Sequence, residues 1–329
     1  MILLADLHLG IRQDNQLWLD VSLNLAKEIR DFAVKYHHNT IAILGDIFEN
    51  TKSLNQKTLN VVCEIVGNIW REFKVILVRG NHDTYYKTQS QPNWLNIFKE
   101  YSNVIRVDEE PYYENNFCFV PWGYDISDIT CDYLFGHFEV NKFRMNNKFD
   151  CINSQYNLND FKEFKHVYSG HFHFPQTIDN FTYLGSPFHN NFGDVGSERG
   201  YYSWKNGDIK FVRFTSAPQY VIIRTDGEIK NVTGNIVKLV FDKDYGVNKN
   251  NDIIESVSML TPITLFVDTS KFNIDENLTN VDELHLRTSY DVLLDYVDKA
   301  KLPEHLNKKT LYRIIDGIMR EISVKNIHR

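Results

Sequence analysis

Five short apolar runs in the first 170 residues are each followed closely by residues that can bind metal ions. The runs are residues 1–5, 41–44, 75–78, 133–135 and 167–169. Each contains neither Gly nor Pro, which is typical of a buried β-strand. The residues that follow them are Asp6, His8, Asp46, Asn81, His82, His137, His171 and His173. Side chains at the carboxyl ends of neighbouring strands meet at one edge of a sheet, so we expect this set to converge on one site.

The spacing within these motifs supports a shared site. Asp6 and His8 are two residues apart, and so are His171 and His173. On an extended strand, residues i and i+2 point to the same face, so both members of each pair are expected to reach one metal cluster. Gly80 follows the third run and lets the backbone turn sharply there.

The residue types in this set favour a particular chemistry. Carboxylate, amide and imidazole ligands without thiolate favour Mn, Fe, Zn or Co over Mg, Ca or Cu(I). Two such ions roughly 3.5–4 Å apart clamp a phosphodiester and activate a water molecule. We predict that His82 stays unligated and protonates or stabilises the departing oxygen, with Asp83 holding its ring in orientation.

Composition narrows the function classes only mildly. The net charge of −7 argues against a broad basic surface for nucleic acid, although the carboxylates of a metal site contribute to it. The cysteines are scattered without a C-x-x-C pair, which indicates reduced thiols. No apolar run is as long as a membrane span, and Met1 leads directly into the first predicted strand, so we expect no leader peptide. These features predict a cytoplasmic protein, in the host cytoplasm if the source is viral, that does not enter membranes.

The order of the predicted elements indicates an α/β protein. Apolar residues at helical spacing predict helices over residues 14–36 and 57–70, between predicted strands. After residue 104 the pattern changes to short strands that continue to about residue 214. We therefore predict two sheets packed face to face, with helices outside and the metal ligands along one rim.

The remainder of the chain predicts two smaller regions. Residues 219–267 have the pattern of a small strand-rich module, in which the Asn-rich segment 247–252 is predicted to be a loop. From residue 289 onward the pattern is helical. It ends in an apolar stripe of Leu311, Ile314, Ile315, Ile318, Met319 and Ile322. Such a stripe packs either on the chain's own core or in a groove of a partner protein.

Taken together, the motifs resemble those of the calcineurin-like metallophosphoesterase superfamily. The motifs are Asp6-x-His8, Gly45-Asp46, Gly80-Asn81-His82-Asp83, Gly136-His137 and Gly170-His171-x-His173. Further segments resemble the Mre11/SbcD nuclease branch, and its bacteriophage members in particular. These segments are Gly45-Asp46-Ile47-Phe48, Gly136-His137-Phe138-Glu139, Tyr183-Leu184-Gly185-Ser186-Pro187 and Glu198-Arg199-Gly200.

The resemblance implies a fold, a division into domains and a ligand set. It implies a four-layer αββα sandwich over residues 1–216, an α+β capping domain over 217–285 and C-terminal helices over 286–329. One metal ion would be held by Asp6, His8, Asp46 and His173. The other would be held by Asp46, Asn81, His137 and His171. In both sets Asp46 is the bridging ligand, and His82 matches the catalytic histidine of the family.

The resemblance also implies a substrate and partners. It implies a manganese-dependent exo- or endonuclease acting on DNA, in a recombination and repair complex with a Rad50/SbcC-like ATPase bound through the C-terminal helices. Homodimers also occur in the family. Cellular members often have a histidine where this chain has Glu49, so its exonuclease activity need not match theirs.

Two other functions are compatible with parts of the pattern. A phosphatase or nucleotide phosphodiesterase of the same superfamily would use the same metals, but those branches typically carry Gly-Asp-x-x-Asp-Arg-Gly where this chain has Gly45 to Asn50. An inactive scaffold is disfavoured because no ligand position is missing. His189 and the cations Lys142, Arg144 and Lys148 are weaker candidates for substrate contact, and structural or solvated roles are favoured for them.

Overall fold

The computed structural model describes residues 1–86, 88–145 and 150–270, all within one compact unit, Met1–Phe272. The predicted C-terminal helices and Lys148 lie outside the described residues. The strands are β1 Ile2–Leu4, β2 Thr40–Leu44, β3 Lys74–Val78, β4 Val104–Val107, β5 Tyr112–Glu114, β6 Phe117–Val120, β7 Tyr133–His137, β8 His166–Gly170, β9 Gln176–Ile178, β10 Phe181–Tyr183, β11 Gly200–Lys205, β12 Asp208–Arg213, β13 Tyr220–Arg224, β14 Ile236–Val240 and β15 Thr264–Asp268. The α-helices are α1 Gln16–Lys35, α2 Gln56–Glu64 and α3 Val247–Ser258.

Two six-stranded sheets carry the motifs. The first has the order β12-β11-β1-β2-β3-β4, in which β1 to β4 are parallel and β11 and β12 are antiparallel. The second has the order β5-β6-β7-β8-β10-β9, with a parallel centre from β6 to β10 and antiparallel edges. In each sheet the motif-bearing strands are parallel neighbours, so their polar carboxyl ends lie at the same edge.

The two sheets pack face to face through an apolar layer. Leu44 and Ile76 of the first sheet lie in the same buried cluster as Phe119, Phe135 and Tyr168 of the second. The ring of Phe135 stacks on those of Phe119 and Tyr168, with centroids 4.8 and 5.4 Å away. Because both faces of these strands are buried, the runs are apolar throughout instead of alternating.

The outer face of the first sheet is covered by helices, as predicted. The Asn15 side chain accepts a hydrogen bond from the Leu17 amide at 3.0 Å and so begins α1. The second helix is α-helical over Gln56–Glu64 and ends in a π-helical turn, Ile65–Ile69. It is fastened to α1 by the Trp70 indole, which donates to the Ala26 carbonyl at 2.9 Å.

The fold class is confirmed as α/β with two packed sheets, and one layer differs in detail. Over the outer face of the second sheet, the described segments are loops and one 3₁₀ turn, Leu158–Phe161, instead of an α-helix. Phe138, Phe143 and Phe161 from these segments are fully buried against Phe181. Buried aromatic rings therefore cover the outer face of this sheet, and the segments that carry them need no helical periodicity in the sequence.

A third sheet of three parallel strands, β13-β14-β15, lies within the second predicted domain, residues 217–285. Its core is Ile223, Val237, Leu239 and Val257, the last of which belongs to α3. The prediction of a loop over residues 247–252 is wrong, because these residues form the first turns of α3. The boundaries of the predicted domains stay predictions.

No helix in the described part of the chain is long and apolar enough to cross a membrane. Cytoplasmic localisation stays a prediction from the sequence.

The inter-sheet layer should dominate stability. We expect Phe135→Ala to lower the free energy of unfolding by about 3–5 kcal/mol, because it removes a fully buried ring from between the sheets. Ile152→Ala, at a side chain that is 78% exposed, should change it by less than about 0.5 kcal/mol. Urea denaturation of both full-length variants measures this, and equal effects would contradict the packing described here.

Candidate metal centre

All eight predicted metal-site side chains, His82 included, meet where the carboxyl ends of the two sheets face each other. β1, β2 and β3 deliver the three motifs of the first sheet, and β7 and β8 deliver those of the second. Three groups of residues there place one ligand atom each within 4.8 Å of one another, and one of them, His8, Glu49 and His82, shares His8 with another. The other two groups consist of predicted metal ligands. The first group is Asp6, His8 and His173, and the second is Asp46, His137 and His171.

In the first group, two imidazoles point at each other. The Nε2 atoms of His8 and His173 are 2.9 Å apart. Asp6 is fully buried, and one of its carboxylate oxygens accepts a hydrogen bond from the His171 amide at 2.9 Å. Burial raises the pKa of Asp6 to about 6, with the charge of Asp46 also raising it. A divalent cation here would offset that burial cost.

The second group is completed by the amide of Asn81. Its Oδ1 lies 3.0 Å from His137 Nε2 and 2.9 Å from His171 Nδ1. Burial lowers the pKa of His171 to about 3, and the charge of His137 acts in the same direction. His171 is therefore neutral at physiological pH, which is the form that binds metals.

Asp46 stands between the two groups. Its Oδ2 is 3.8 Å from His8 Nε2 and 3.4 Å from His137 Nε2. Although burial alone would raise the pKa of Asp46, the charge and hydrogen bond of His137 hold it well below its usual range. One carboxylate oxygen of Asp46 therefore lies within 4 Å of a histidine of each group.

The hydrogen bonds of His137 test whether a cation fits. Its Nδ1 lies 2.8 Å from the Leu44 carbonyl, so Nδ1 carries a hydrogen and donates it. In the neutral ring, Nε2 then presents a lone pair to Asn81 Oδ1 and Asp46 Oδ2, which are also acceptors. Burial lowers the pKa of His137, but the negative charge of Asp46 outweighs it and raises the pKa to about 9. A proton or a metal ion satisfies these converging lone pairs, so the donor set fits a divalent metal.

The backbone is strained where it presents the ligands. Asp6, His8, Asp46 and His171 have φ values of 54°, 45°, 50° and 99°. Each such residue costs about 1–3 kcal/mol, which only a surrounding structure can sustain. The prediction that Asp6 and His8, like His171 and His173, lie on extended strands is therefore wrong, since β1 ends at Leu4 and β8 ends at Gly170. Positive φ values at Asp6, His8 and His171, not strand alternation, direct these side chains into the site.

Glycine at two motif positions is required by close packing. A Cβ at Gly45, whose φ is 86°, would overlap the His137 ring. A Cβ at Gly170 would overlap the Leu44 carbonyl and the same ring. The glycines therefore bring the two sheets close enough at this edge for Asp46 and His137 to meet.

The structure places His82 and Asp83 differently from each other. His82 lies beside the first group, with its ring 4.9 Å from that of His8, and its Nδ1 donates to the Glu49 carbonyl at 2.8 Å. The prediction that Asp83 orients this ring is wrong. Asp83 is fully buried and accepts hydrogen bonds from the amides of Ile47, Phe48 and Gly80 at 2.8–3.1 Å. It holds two ligand-bearing loops together instead.

Glu49 is a site residue whose contacts the sequence did not reveal. Its Oε2 is 2.8 Å from His8 Nδ1, the nitrogen on the far side of the ring from His173. This close contact with His8 lowers the pKa of Glu49. A carboxylate on the outer nitrogen of a ligating imidazole fixes its tautomer and raises its basicity. The sequence signals for Glu49 were its position three residues after Asp46 and the histidine that cellular members of the family often have there.

Asn190 makes the corresponding contact with His173. Its Nδ2 lies 3.2 Å from His173 Nδ1, and its buried Oδ1 has no hydrogen-bond partner among the described residues. The two atoms exchange places on rotation of the amide. If His173 Nε2 binds a metal, Nδ1 carries a hydrogen, and Asn190 Oδ1 becomes its acceptor.

Two of the segments that resemble the Mre11/SbcD branch, those containing Ser186 and Arg199, hold His173 in place. Arg199 is buried and donates to the His173 carbonyl, to Ser186 Oγ at 2.7 Å and to Asp194 Oδ1 at 2.6 Å. This network fixes the backbone of His173.

On the other side of the site, Trp122 covers the ring of His171 with centroids 5.1 Å apart. Trp122 comes just after the carboxyl end of β6, as the predicted ligands do after their own strands. This position after a strand was the signal in the sequence that could have found Trp122.

Three weaker candidates make no contact with the site. Both nitrogens of His189 bond to backbone groups, the Ser197 carbonyl at 2.9 Å and the Tyr220 amide at 3.2 Å, so its role is structural. Lys142 and Arg144 are exposed and do not line the cleft over the metal-site groups.

The cleft over the two groups is open and has a volume of about 420 Å³. Its lining is His8, Ile11, Arg12, Asp46, Glu49, Asn81, His82, His171, His173, Asn190 and Asn191. Ligand atoms of both groups therefore face a space large enough for a phosphate ester.

Comparison with known proteins identifies the class of protein. The family model described as calcineurin-like phosphoesterase matches residues 1–211, and the chain belongs to this family. These proteins are hydrolases that act on phosphate esters with divalent metal ions. The predicted family is thus confirmed.

The chain is also similar to one named relative. It is 28% identical over 215 residues to Exonuclease subunit 1 of Enterobacteria phage T4, a match that covers 60% of this chain and 62% of that protein. Among solved structures, a dimetal phosphatase from Danio rerio matches 61% of this chain and 90% of its own, with 12% identity and a TM-score of 0.36.

The contact between Glu49 and His8 gives a testable prediction. We expect Glu49→Ala to weaken Mn²⁺ binding by about 10–100-fold, because His8 loses the carboxylate that orients it. Glu64→Ala, on the exposed side of α2, is the control. Titration calorimetry on the metal-stripped proteins measures the change. Unaltered affinity in Glu49→Ala would show that the carboxylate does not support the ligand.

Proposed function

We propose that this protein is a manganese-dependent DNA nuclease with a two-metal site. The observation that carries the proposal is the pair of His/Asp groups, which Asp46 joins by facing His8 of the first group, with His82 beside them in an open cleft. The similarity to a protein named as an exonuclease subunit supports DNA as the substrate.

The ligand assignment follows the two groups. Asp6, His8, Asp46 and His173 would hold one ion. Asp46, Asn81, His137 and His171 would hold the other. When bound, such ions would supply a water nucleophile and neutralise charge on the phosphate. Mn²⁺ is favoured because the set combines carboxylate, amide and imidazole ligands.

The chain's own contribution to the chemistry centres on His82. Since Nδ1 donates to the Glu49 carbonyl, Nε2 is the nitrogen left to exchange a proton with substrate. A protonated Nε2 can donate to the departing oxygen of the cleaved ester. Glu49 orients His8 through its carboxylate and His82 through its carbonyl, so one residue fixes both rings.

We further propose that the protein is one subunit of an end-processing complex. Residues 1–216 would form the nuclease domain, 217–285 the capping domain and 286–329 the segment that binds a Rad50/SbcC-like ATPase. The apolar stripe from Leu311 to Ile322 supports this, because a helix that docks in a partner's groove carries such a stripe. The printed name of the phage relative marks that protein as a subunit.

Cleavage of labelled linear double-stranded DNA with Mn²⁺ tests the nuclease proposal. His82→Ala should lower kcat by about 10²–10⁴-fold and leave bound Mn²⁺ unchanged, because a general acid is lost and no ligand is. His37→Asn, at an exposed histidine with positive φ, should behave as wild type.

The alternatives give different results in the same assay. Hydrolysis of p-nitrophenyl phosphate or dinucleotide polyphosphates with DNA untouched, even with the ATPase and ATP present, would favour a phosphatase. Unimpaired DNA cleavage by His82→Ala would remove His82 from the mechanism.

The partner proposal is tested on the full chain. Ile318→Asp should abolish co-purification of the co-expressed ATPase, because it puts a charge in the apolar stripe, while Mn²⁺-dependent hydrolysis of bis-p-nitrophenyl phosphate stays intact. Asp316→Asn, off the stripe, should keep the partner. Retained binding by Ile318→Asp would contradict this role for the stripe.

A further inference from the structure

We propose that Arg12 forms a second phosphate-binding subsite at the mouth of the metal cleft. It would hold a phosphate of the DNA strand adjacent to the one that is cleaved. The inference rests on the proposed nuclease function and adds to it a residue that distinguishes DNA from small phosphate esters.

Arg12 lies in a left-handed turn that ordinary residues rarely adopt. Arg12, Gln13 and Asp14 have φ values of 57–58°, and they follow Gly10 at 97°. Three consecutive non-glycine residues in this region are strained, and such strain persists where the surroundings enforce it and often marks a functional element.

The turn is held at both ends by hydrogen bonds. The amide of Asp14 donates to the Gly10 carbonyl at 3.0 Å, and the amide of Ile11 donates to the His8 carbonyl at 3.0 Å. The hydroxyl of Thr58 donates to the Asp14 carboxylate. The turn is therefore fastened directly to a predicted metal ligand, His8, and to helix α2.

The guanidinium of Arg12 is fixed through one nitrogen and leaves the others free. Nη2 donates to the Asn190 carbonyl at 2.9 Å and to the Tyr220 hydroxyl at 2.8 Å. Within the described residues, Nε and Nη1 make no hydrogen bond and Arg12 has no acidic partner. A pre-oriented guanidinium with unused donors is suited to phosphate oxygens.

The position of Arg12 relative to the metal groups gives the subsite its substrate. Arg12 is the one Lys or Arg among the cleft-lining residues that the structure describes. Asn190 links it to the first group, since its carbonyl accepts from Arg12 and its side chain lies 3.2 Å from His173. A DNA strand carries a negative charge at every nucleotide. When one phosphate of the strand lies at the metal centre, the next phosphate lies just outside the centre, where a cation can bind it. An ester with a single phosphate has no second phosphate for that cation to bind.

A competing role for Arg12 is structural, because its bond to Tyr220 joins the metal cleft to β13. The two roles are separable. Tyr220→Phe removes that hydrogen bond but keeps the guanidinium, whereas Arg12→Gln removes the charge. Arg12→Lys keeps the charge without the planar fork.

The experiment compares the full-length Mn²⁺-loaded variants on DNA and on bis-p-nitrophenyl phosphate over a range of salt concentrations. Arg12→Gln should raise KM for DNA about tenfold or more, with kcat for the small ester within about twofold of wild type. For this variant, the slope of the logarithm of DNA affinity against the logarithm of salt concentration, measured by anisotropy, should be smaller in magnitude by about one unit. Arg12→Lys should recover part of the loss. Arg30→Gln, at an exposed cation outside the cleft lining, should match wild type.

Each contrary result has a separate meaning. If Tyr220→Phe reproduces the KM and salt effects of Arg12→Gln, the structural role replaces the subsite. If Arg12→Gln cleaves DNA like wild type, the subsite is overturned and the nuclease proposal stands. If the wild-type protein hydrolyses the small ester but neither cleaves DNA nor is inhibited by it, both proposals fall.

Discussion

Asp46 is a carboxylate buried between two sheets, and the rest of the site is arranged to keep it charged. Its oxygens face His8 and His137 and accept a hydrogen bond from the His82 amide at 2.8 Å. A charge in this environment is tolerated only with charged or hydrogen-bonding partners around it. Divalent ions would supply that compensation, so metal binding and stability of this edge should be linked.

The parallel strands provide the rigidity that this arrangement requires. Strained backbone at Asp6, His8, Asp46 and His171 would relax in an isolated loop. Here each follows a short strand that is buried at its carboxyl end and whose position is fixed by its neighbours and by the aromatic layer between the sheets. Asp83 adds a second restraint, because three backbone amides from two loops bond to its carboxylate.

The surroundings of the two metal groups are unequal. Both groups face the cleft, but Trp122 covers the ring of His171 in the second group, whereas His82 and Glu49 lie beside His8 of the first. The proposed proton donor and Arg12 would therefore meet the substrate on the side of the first group. The first group is also the one connected to β13, through Arg12 and the Tyr220 hydroxyl. In the proposed function, this asymmetry would give the cleft a direction for a bound DNA strand.

The sequence by itself determined the strand-then-ligand order, and with it the α/β class and the eight residues that converge, because buried parallel strands leave uninterrupted apolar runs. It did not determine the left-handed turns at Asp6 and His8, since φ depends on what the surrounding structure enforces. The same holds for Glu49 and Asp83. Their partners are distant along the chain or are backbone atoms that carry no residue-type signal. The α3 helix over an Asn-rich segment was likewise decided by packing of Val257 on the third sheet, which outweighs local propensity.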